Sequence, residues 1–216
     1  RNLLNINLME DSSNFFRNLN PNVSRETIEK LALYRELIIN ENTNLISKGD
    51  KNLIWIRHFH DSLRIIGLIS GNNMNIIDIG SGAGFPGIPI ALTMNQSKNN
   101  IYLCESKKKK SQFLVKCCEK LDLHNVKVIH NRAENIKGIK FDYILSRAVA
   151  QLNRLFSISC NIKKEKTIFL FHKGIHIDKE ISEATKYWNF KYHLYDNEIE
   201  NGSFIFEGKN IIKSIV

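Results

Sequence analysis

Twelve residues, DIGSGAGFPGIP from Asp78 to Pro89, hold four glycines and two of the chain's three prolines. Glycine lets a backbone approach a ligand closely and take up positive φ, and a cluster this dense exceeds what a tight turn needs. The stretch directly follows a short apolar run, Ile76–Ile79, and precedes a segment of helical length. A doubly wound α/β sheet binds its ligands at that place, beyond the carboxyl end of a strand.

The rest of the chain supports such a sheet. Further short apolar runs, Ile101–Cys104, Val126–Ile129, Tyr143–Leu145 and Ile168–Phe171, alternate with segments long enough for helices. Buried strands separated by amphipathic helices imply βαβ units, hence a mostly parallel sheet with helices on both faces. After Glu105, the residues Phe113, Leu114, Cys117, Cys118 and Leu121 recur as one helical stripe. Near the end, Phe190–Tyr195 and Ser203–Phe206 flank Asn201 and Gly202, which predicts two closing strands paired antiparallel. The first 70 residues read as helical instead, with Ser24 as an N-cap, Glu26 in the first turn, and a second helix over Lys51–Ile69. The expected division is a helical extension over 1–72 and an α/β domain over 73–216, built on one sizeable core.

Two cofactor readings compete for the loop. Gly82, Gly84 and Gly87 fit G-x-G-x-x-G, the dinucleotide fingerprint of a nicotinamide-dependent oxidoreductase. That register leaves Ser81 as slack, and it sets the acidic Asp78 beside a pyrophosphate. Counting from Asp78 and Gly80 suits a cationic ligand better, since a carboxylate attracts a sulfonium and repels a phosphate. S-adenosyl-L-methionine is such a ligand. Glu105, at the end of the second strand, is placed to accept ribose hydroxyls in either reading.

Charge narrows the class of partner. The net charge is +9, and residues 98–166 alone carry 16 Lys or Arg against 6 Asp or Glu. A polyanion such as nucleic acid fits that asymmetry, although a lysine-rich composition throughout the chain is the plainer explanation. The chain has no apolar run near the roughly 18 residues that a membrane helix needs, and its start lacks the apolar region of a signal peptide. Starting at Arg1, it is expected to have lost an initiator methionine. Cys104, Cys117, Cys118 and Cys160 lack the spacing of a metal site or disulfide framework, which predicts reduced thiols in the cytoplasm.

Several segments then become recognisable together. IIDIGSGAGFPGIPIAL, NLI at Asn44–Ile46, RHFHDSL at Arg57–Leu63, ESKKKKSQFL at Glu105–Leu114, NRAEN at Asn131–Asn135, LSRAVAQL at Leu145–Leu152 and HKG at His172–Gly174 occur in one order. In that order they resemble the bacterial small-subunit ribosomal RNA guanine-N7 methyltransferases, the glucose-inhibited division protein B family, over about residues 24 to 174. The resemblance implies a Rossmann-like class I S-adenosylmethionine-dependent methyltransferase with a seven-stranded, mostly parallel sheet whose last strand is antiparallel, preceded by a helical extension. By similarity, Gly80 and Phe85 contact the methionine portion of the cofactor, Ala133 and Glu134 lie at its adenine, and Arg147 stands near the transfer site. Asp78, Gly82 and Glu105 complete the expected cofactor set. Glu105 replaces a frequent Asp, and Ser203 stands where the family pattern has a basic residue, which leaves a tail contribution to RNA binding in question. The expected partner is 16S rRNA or the 30S particle, acted on by a monomer, with no membrane and no metal.

Guanine N7 carries a lone pair and no proton, so its methylation by in-line displacement needs no general base. The residues show no Ser-His-Asp, Cys-His or metal-ligand pattern, in keeping with a protein that only positions. Arg57 and His58 are divided between RNA contact and helix packing, and His60, His124, His130, His172, His176 and His193 are read as structural. Lys107 to Lys110 oppose the dipole of the helix they open, which favours an RNA-backbone role. A non-catalytic RNA-binding module is a third reading, but Gly80, Gly82 and Gly84 are all intact.

Overall fold

Seven strands, β1 (Asn75–Ile79), β2 (Asn100–Cys104), β3 (Val126–Ile129), β4 (Phe141–Arg147), β5 (Lys163–Lys173), β6 (Trp188–Asp196) and β7 (Phe204–Lys213), form one sheet in the order β3-β2-β1-β4-β5-β7-β6. The computed structural model describes residues 10–47, 49–94 and 97–214. The chain start, read above for a leader and an initiator methionine, lies outside the described residues. Strands β1 to β5 pair in parallel, and β7 runs antiparallel to both β5 and β6, as expected for the last strand. Four of the five residues of β1 and of β2 are buried, so uninterrupted apolar runs are what these central strands require.

Alternate strand residues feed two cores. Ile76, Leu103 and Leu145 pack with α4 (Gly87–Thr93) and α5 (Lys108–Lys120) on one face. Ile77, Tyr102 and Ile144 pack with α6 (Leu152–Ser159) and α7 (Ile177–Ala184) on the other. The extension joins the first core through α1 (Ser13–Leu19) and α2 (Arg25–Ile39), whose Phe16, Leu31, Tyr34 and Ile38 are buried there. Ser24 caps α2 as expected, its hydroxyl accepting from Thr27 N–H at 3.1 Å.

The single helix expected over Lys51–Ile69 is not formed. A 3₁₀ turn (Gly49–Asn52) leads into a π-helix (Ile54–His60), one α-helical turn, α3 (Asp61–Leu63), and a second 3₁₀ turn (Ile66–Leu68). Five of the seven π-helical residues are buried, more than one stripe of an α-helix turns inward. The wider turn spreads Ile54, Trp55, Ile56, His58 and Phe59 over the core, and Asp11 accepts from the N–H groups of Trp55 and Ile56 at 3.3 and 3.0 Å.

Strand order reverses between β1 and β4, and the crevice beyond their carboxyl ends is the switch point of the sheet. The glycine loop opens there.

Candidate cofactor and transfer site

From β1 the chain turns at Gly80 and Ser81, whose N–H groups donate to Cys104 O at 2.8 and 3.1 Å. Gly82 follows at φ +60°, and a Cβ there would meet nothing closer than Gly80 O at 3.7 Å and Lys110 Nζ at 4.0 Å. The space over its Cα is therefore open. The Gly82 N–H donates to Glu105 Oε2 at 3.0 Å and the Lys107 N–H to Oε1 at 2.7 Å, so Glu105 fastens the loop to the start of α5. Tyr34 of the extension holds the same loop from below by donating to the Ala83 carbonyl.

Asp78 requires a correction. Its side chain is 0% exposed and lies under the loop, with Oδ2 accepting from Gly87 N–H at 3.2 Å. Burial, opposed in part by that N–H, pushes the carboxyl up to about 8. A protonated group beneath the loop does not attract a sulfonium, so the Coulomb argument for the cofactor does not hold. Asp78 instead fixes the entry into α4, where a Cβ on Gly87 would stand 2.3 Å from Leu103 Cδ2 and 3.0 Å from Asp78 Oδ2.

A cleft of about 200 Å³ opens beside the loop, lined by Gly80, Cys104, Ala133, Glu134, Val149 and Arg154 among others. Three of the expected cofactor residues, Gly80, Ala133 and Glu134, thus share one wall. Glu134 is ion-paired with Arg154 at 3.2 Å and Arg132 at 3.9 Å. Phe85 and Arg147 do not line this cleft. Phe85 is 6% exposed and stacks on the His58 ring, centroids 4.6 Å apart and planes at 14°, with the Arg147 guanidinium 6.0 Å from its centroid.

Behind Phe85 lies a polar cluster that sequence reasoning missed. Arg147 Nη2 donates to Arg57 O at 2.7 Å, and Nη1 lies 3.5 Å from Asp61 Oδ2. Asp61, itself buried, also pairs with Arg64 at 2.9 Å, and its main-chain oxygen accepts from His172 Nε2 at 2.8 Å. Burial raises the Asp61 carboxyl, but His172, Arg147 and Arg64 outweigh it and hold the group below its ordinary value.

The histidine expectations divide. His58 is 7% exposed with both ring nitrogens lacking a hydrogen-bond partner among the described residues, and burial together with Arg147 lowers it to about 3. A buried ring does not contact RNA, so that alternative falls. The Arg57 side chain is held between Asp50 and Glu200, at 2.8 Å each, and not by an open face. His60 and His172 keep structural bonds, to Asn20 at 3.1 Å and to Asp61. Lys107, Lys108 and Lys109 are exposed, and Lys107 to Lys110 have no ion-pair partner among the described residues. Ser203 accepts from Arg64 Nη1 at 3.4 Å, inside the fold.

A second cavity, of about 350 Å³, lies at the carboxyl ends of β4 and β5, and it shares Val149 and Ala150 with the cleft. Its polar lining is Ser146, Gln151, His172, Lys173 and Glu180. Lys173 Nζ donates to Ala150 O at 2.7 Å and Glu180 Oε2 at 2.6 Å, while Leu152 N–H donates to the same Oε2 at 2.9 Å. Lys173 ends a strand and Glu180 sits on the next helix, a separation that carries no sequence signature.

The chain matches the family model described as GidB, rRNA small subunit methyltransferase G, over residues 27–200. It is 34% identical over 197 residues to a ribosomal RNA small subunit methyltransferase G of Orientia tsutsugamushi (strain Ikeda), covering 90% of this chain and 96% of the relative. Against a protein of the same name from Bartonella tribocorum, identity is 37% over 196 residues, 88% of this chain and 91% of the other. Among solved structures, a SAM-dependent methyltransferase from Aquifex aeolicus superposes with a TM-score of 0.58 at 11% identity, covering 82% of this chain and 98% of that one. M. jannaschii TYW2 in complex with AdoMet gives 0.56 at 15%, covering 82% and 80%. At such identities these two likenesses speak for the fold.

Proposed function

The chain belongs to the rRNA small subunit methyltransferase G family and is an S-adenosylmethionine-dependent rRNA methyltransferase, and from that premise we propose that its target is N7 of one guanine in 16S rRNA. The observation that carries the reading is the open space over Gly82, set beside a cleft that brings Gly80, Ala133 and Glu134 together at the switch point of the sheet. When bound, the cofactor supplies an electrophilic methyl group on a sulfonium. N7 would take that methyl with its lone pair while the carbon–sulfur electrons stayed on sulfur, so the residues of this chain would have no proton to move.

The residues of this chain then have positioning roles. Gly80, Ala133 and Glu134 line the cleft that takes the cofactor, with Ala133 and Glu134 at its adenine end, while Glu105, buried with both oxygens on the N–H groups of Gly82 and Lys107, sets the loop and does not reach the ribose, contrary to the expectation from the sequence. Phe85 and Arg147 form the layer behind the transfer point, with Asp61 and the Arg57 carbonyl fixing the guanidinium. Lys107 to Lys110 offer cations to RNA phosphates. The protein acts as a monomer in the cytoplasm on the RNA or its assembled particle. A dinucleotide reading is disfavoured because Asp78 occupies the Gly87 N–H at the head of α4, the donor a pyrophosphate would use.

Incubation with methyl-labelled S-adenosylmethionine and small ribosomal subunits lacking this modification, followed by digestion to nucleosides, tests the reading. Label in 7-methylguanosine is expected; label in any other nucleoside overturns the position assigned. Arg147→Ala is expected to lower S-adenosylhomocysteine affinity or turnover by about tenfold or more, since it removes charged hydrogen bonds. Calorimetry and initial rates that both match the unsubstituted protein would remove Arg147 from the site.

A further inference from the structure

The glycine loop is held from three directions, and one of them lies outside the α/β domain. Gly80 and Ser81 bond to Cys104 at the end of β2, Gly82 bonds to Glu105 ahead of α5, and the Ala83 carbonyl accepts from the Tyr34 hydroxyl of the extension. We infer that Tyr34 is a positioning residue for the cofactor: without touching the ligand, its hydroxyl holds residues 82–85 in the shape that binds it. The inference rests on the methyl-transfer reading above and gives the extension a part in cofactor affinity.

Three observations converge on it. Tyr34 is fully buried, and a buried phenol hydroxyl takes an acceptor. The acceptor is the Ala83 carbonyl, which has no other donor among the described residues. Next, a Cβ on Gly84 would stand 2.6 Å from Tyr34 Oη and 2.5 Å from Ile88 Cδ1. Gly84 is thus kept bare by the close approach of the extension and of α4, whereas Gly82 has open space over it. Finally, Phe85, set in that reading behind the transfer point, lies among rings of the extension, with His58 stacked at 4.6 Å, Tyr34 at 5.6 Å and Phe59 at 6.0 Å between centroids. Tyr34 in turn stacks on Phe59 at 5.6 Å. One side chain therefore meets the loop at its Ala83 carbonyl, beside the Gly84 backbone and at the Phe85 ring.

The effect of such a tie on binding follows from populations. A loop that exchanges between shapes binds its ligand with an affinity reduced by the fraction of time spent in the binding shape. Removing the Tyr34 hydroxyl leaves the buried Ala83 carbonyl without a donor, which favours shapes that turn it toward water. Bound cofactor draws the loop back to the binding shape, so methyl transfer from the complex is unaltered. The signature of this role is a change in cofactor affinity at constant kcat.

Tyr34→Phe tests it, because the ring stays and only the hydroxyl goes. The control is Thr27→Val, which removes a different buried hydroxyl bond of α2, from Thr27 Oγ1 to Leu92 O at 3.4 Å. Tyr34→Phe is expected to weaken S-adenosylhomocysteine binding by roughly threefold to tenfold in calorimetry, the scale of one neutral hydrogen bond. The KM for S-adenosylmethionine should rise by the same factor while kcat and the KM for RNA stay unchanged. Hydrogen exchange at the Gly84 and Phe85 amides should quicken and slow again when S-adenosylhomocysteine is added. Thr27→Val is expected to lower the melting temperature and leave cofactor affinity alone. A Tyr34→Phe protein that only melts earlier, or equal losses of affinity in both variants, would make Tyr34 a core residue and overturn the inference. The unsubstituted protein supplies a check that needs no variant: by reciprocity, S-adenosylhomocysteine should slow exchange in α2 around Tyr34 as well as in the loop, and protection confined to the loop would also overturn it. Failure of the unsubstituted protein to bind S-adenosylhomocysteine at all would instead sink the functional reading, and the inference with it.

Discussion

Asp78 keeps its proton to about pH 8 in the folded protein, while an unfolded carboxyl ionises near 3.8. Between those values the folded state binds more protons than the unfolded one, so this group makes stability fall as pH rises, and the effect is complete above the folded value. Asp78→Asn keeps an acceptor for Gly87 N–H and removes the titration. Melting temperatures across that window should therefore decline less in the variant; an identical decline would mean that Asp78 is ionised in the fold. His58 shows the opposite sign. It stays neutral down to about 3, so the fold loses stability as acid protonates the unfolded histidine below 6.5. His58 stacks on Phe85 and Asp78 lies under the glycine loop, so in the ligand-free fold both are buried neutral groups.

At the scale of elements, the glycine loop combines two different demands. Gly82 needs its φ of +60° but has open space above it, while Gly87 has ordinary dihedrals and no space at all. Gly82→Ala should cost about 1 kcal/mol in backbone strain and, if the loop holds the cofactor as proposed, weaken S-adenosylhomocysteine binding. Gly87→Ala should cost more, about 1–3 kcal/mol, since Leu103 and Asp78 must both move. Urea titrations with S-adenosylhomocysteine calorimetry separate the two, and equal stabilities would refute the distinction. The head of α5 makes a third demand. Three exposed lysines and Lys110 crowd a helix N-terminus whose dipole they oppose. Replacing Lys108 and Lys109 by alanine should weaken RNA binding and flatten its salt dependence by roughly 0.7 to 0.9 in log–log slope per lysine. An unchanged slope would show that they face only solvent.

Across the whole molecule, the extension is tied to the glycine loop and to the ends of the central strands. Tyr34 holds the loop, Asp61 binds Arg147 from β4 and His172 from β5, and Arg57 reaches Glu200 in the turn between β6 and β7. These ties differ in strength. The Asp61 cluster is buried, and Asp61→Asn leaves two arginines without their carboxylate, for an expected loss of about 3–5 kcal/mol. The Arg57 side chain is over a third exposed, and the loss of its pairs should remain within about 1 kcal/mol. Chemical denaturation of the two variants checks the order, and comparable losses would show that the extension is not fastened through Asp61.

The architecture can be read from the residues alone. Apolar runs of strand length, the stripe after Glu105, the Ser24 cap and the glycine-rich exit from β1 are local patterns, and local patterns are what periodicity and turn chemistry expose. The five parallel strands, the antiparallel close and the place of the cofactor loop follow from them. Where side chains point once those elements meet depends on how they pack in three dimensions. Asp78 lies under the loop, where its carboxyl accepts from Gly87 N–H, and residues 54–60 widen into a π-helix that buries five of its seven residues. Arg57 spends its charge on Asp50 and Glu200. Asp61, Arg147 and His172 are brought together from three separate segments, as are Lys173 and Glu180 around the second cavity. Such groupings depend on distances between segments far apart in the chain, and a spacing of residue types carries no record of those distances.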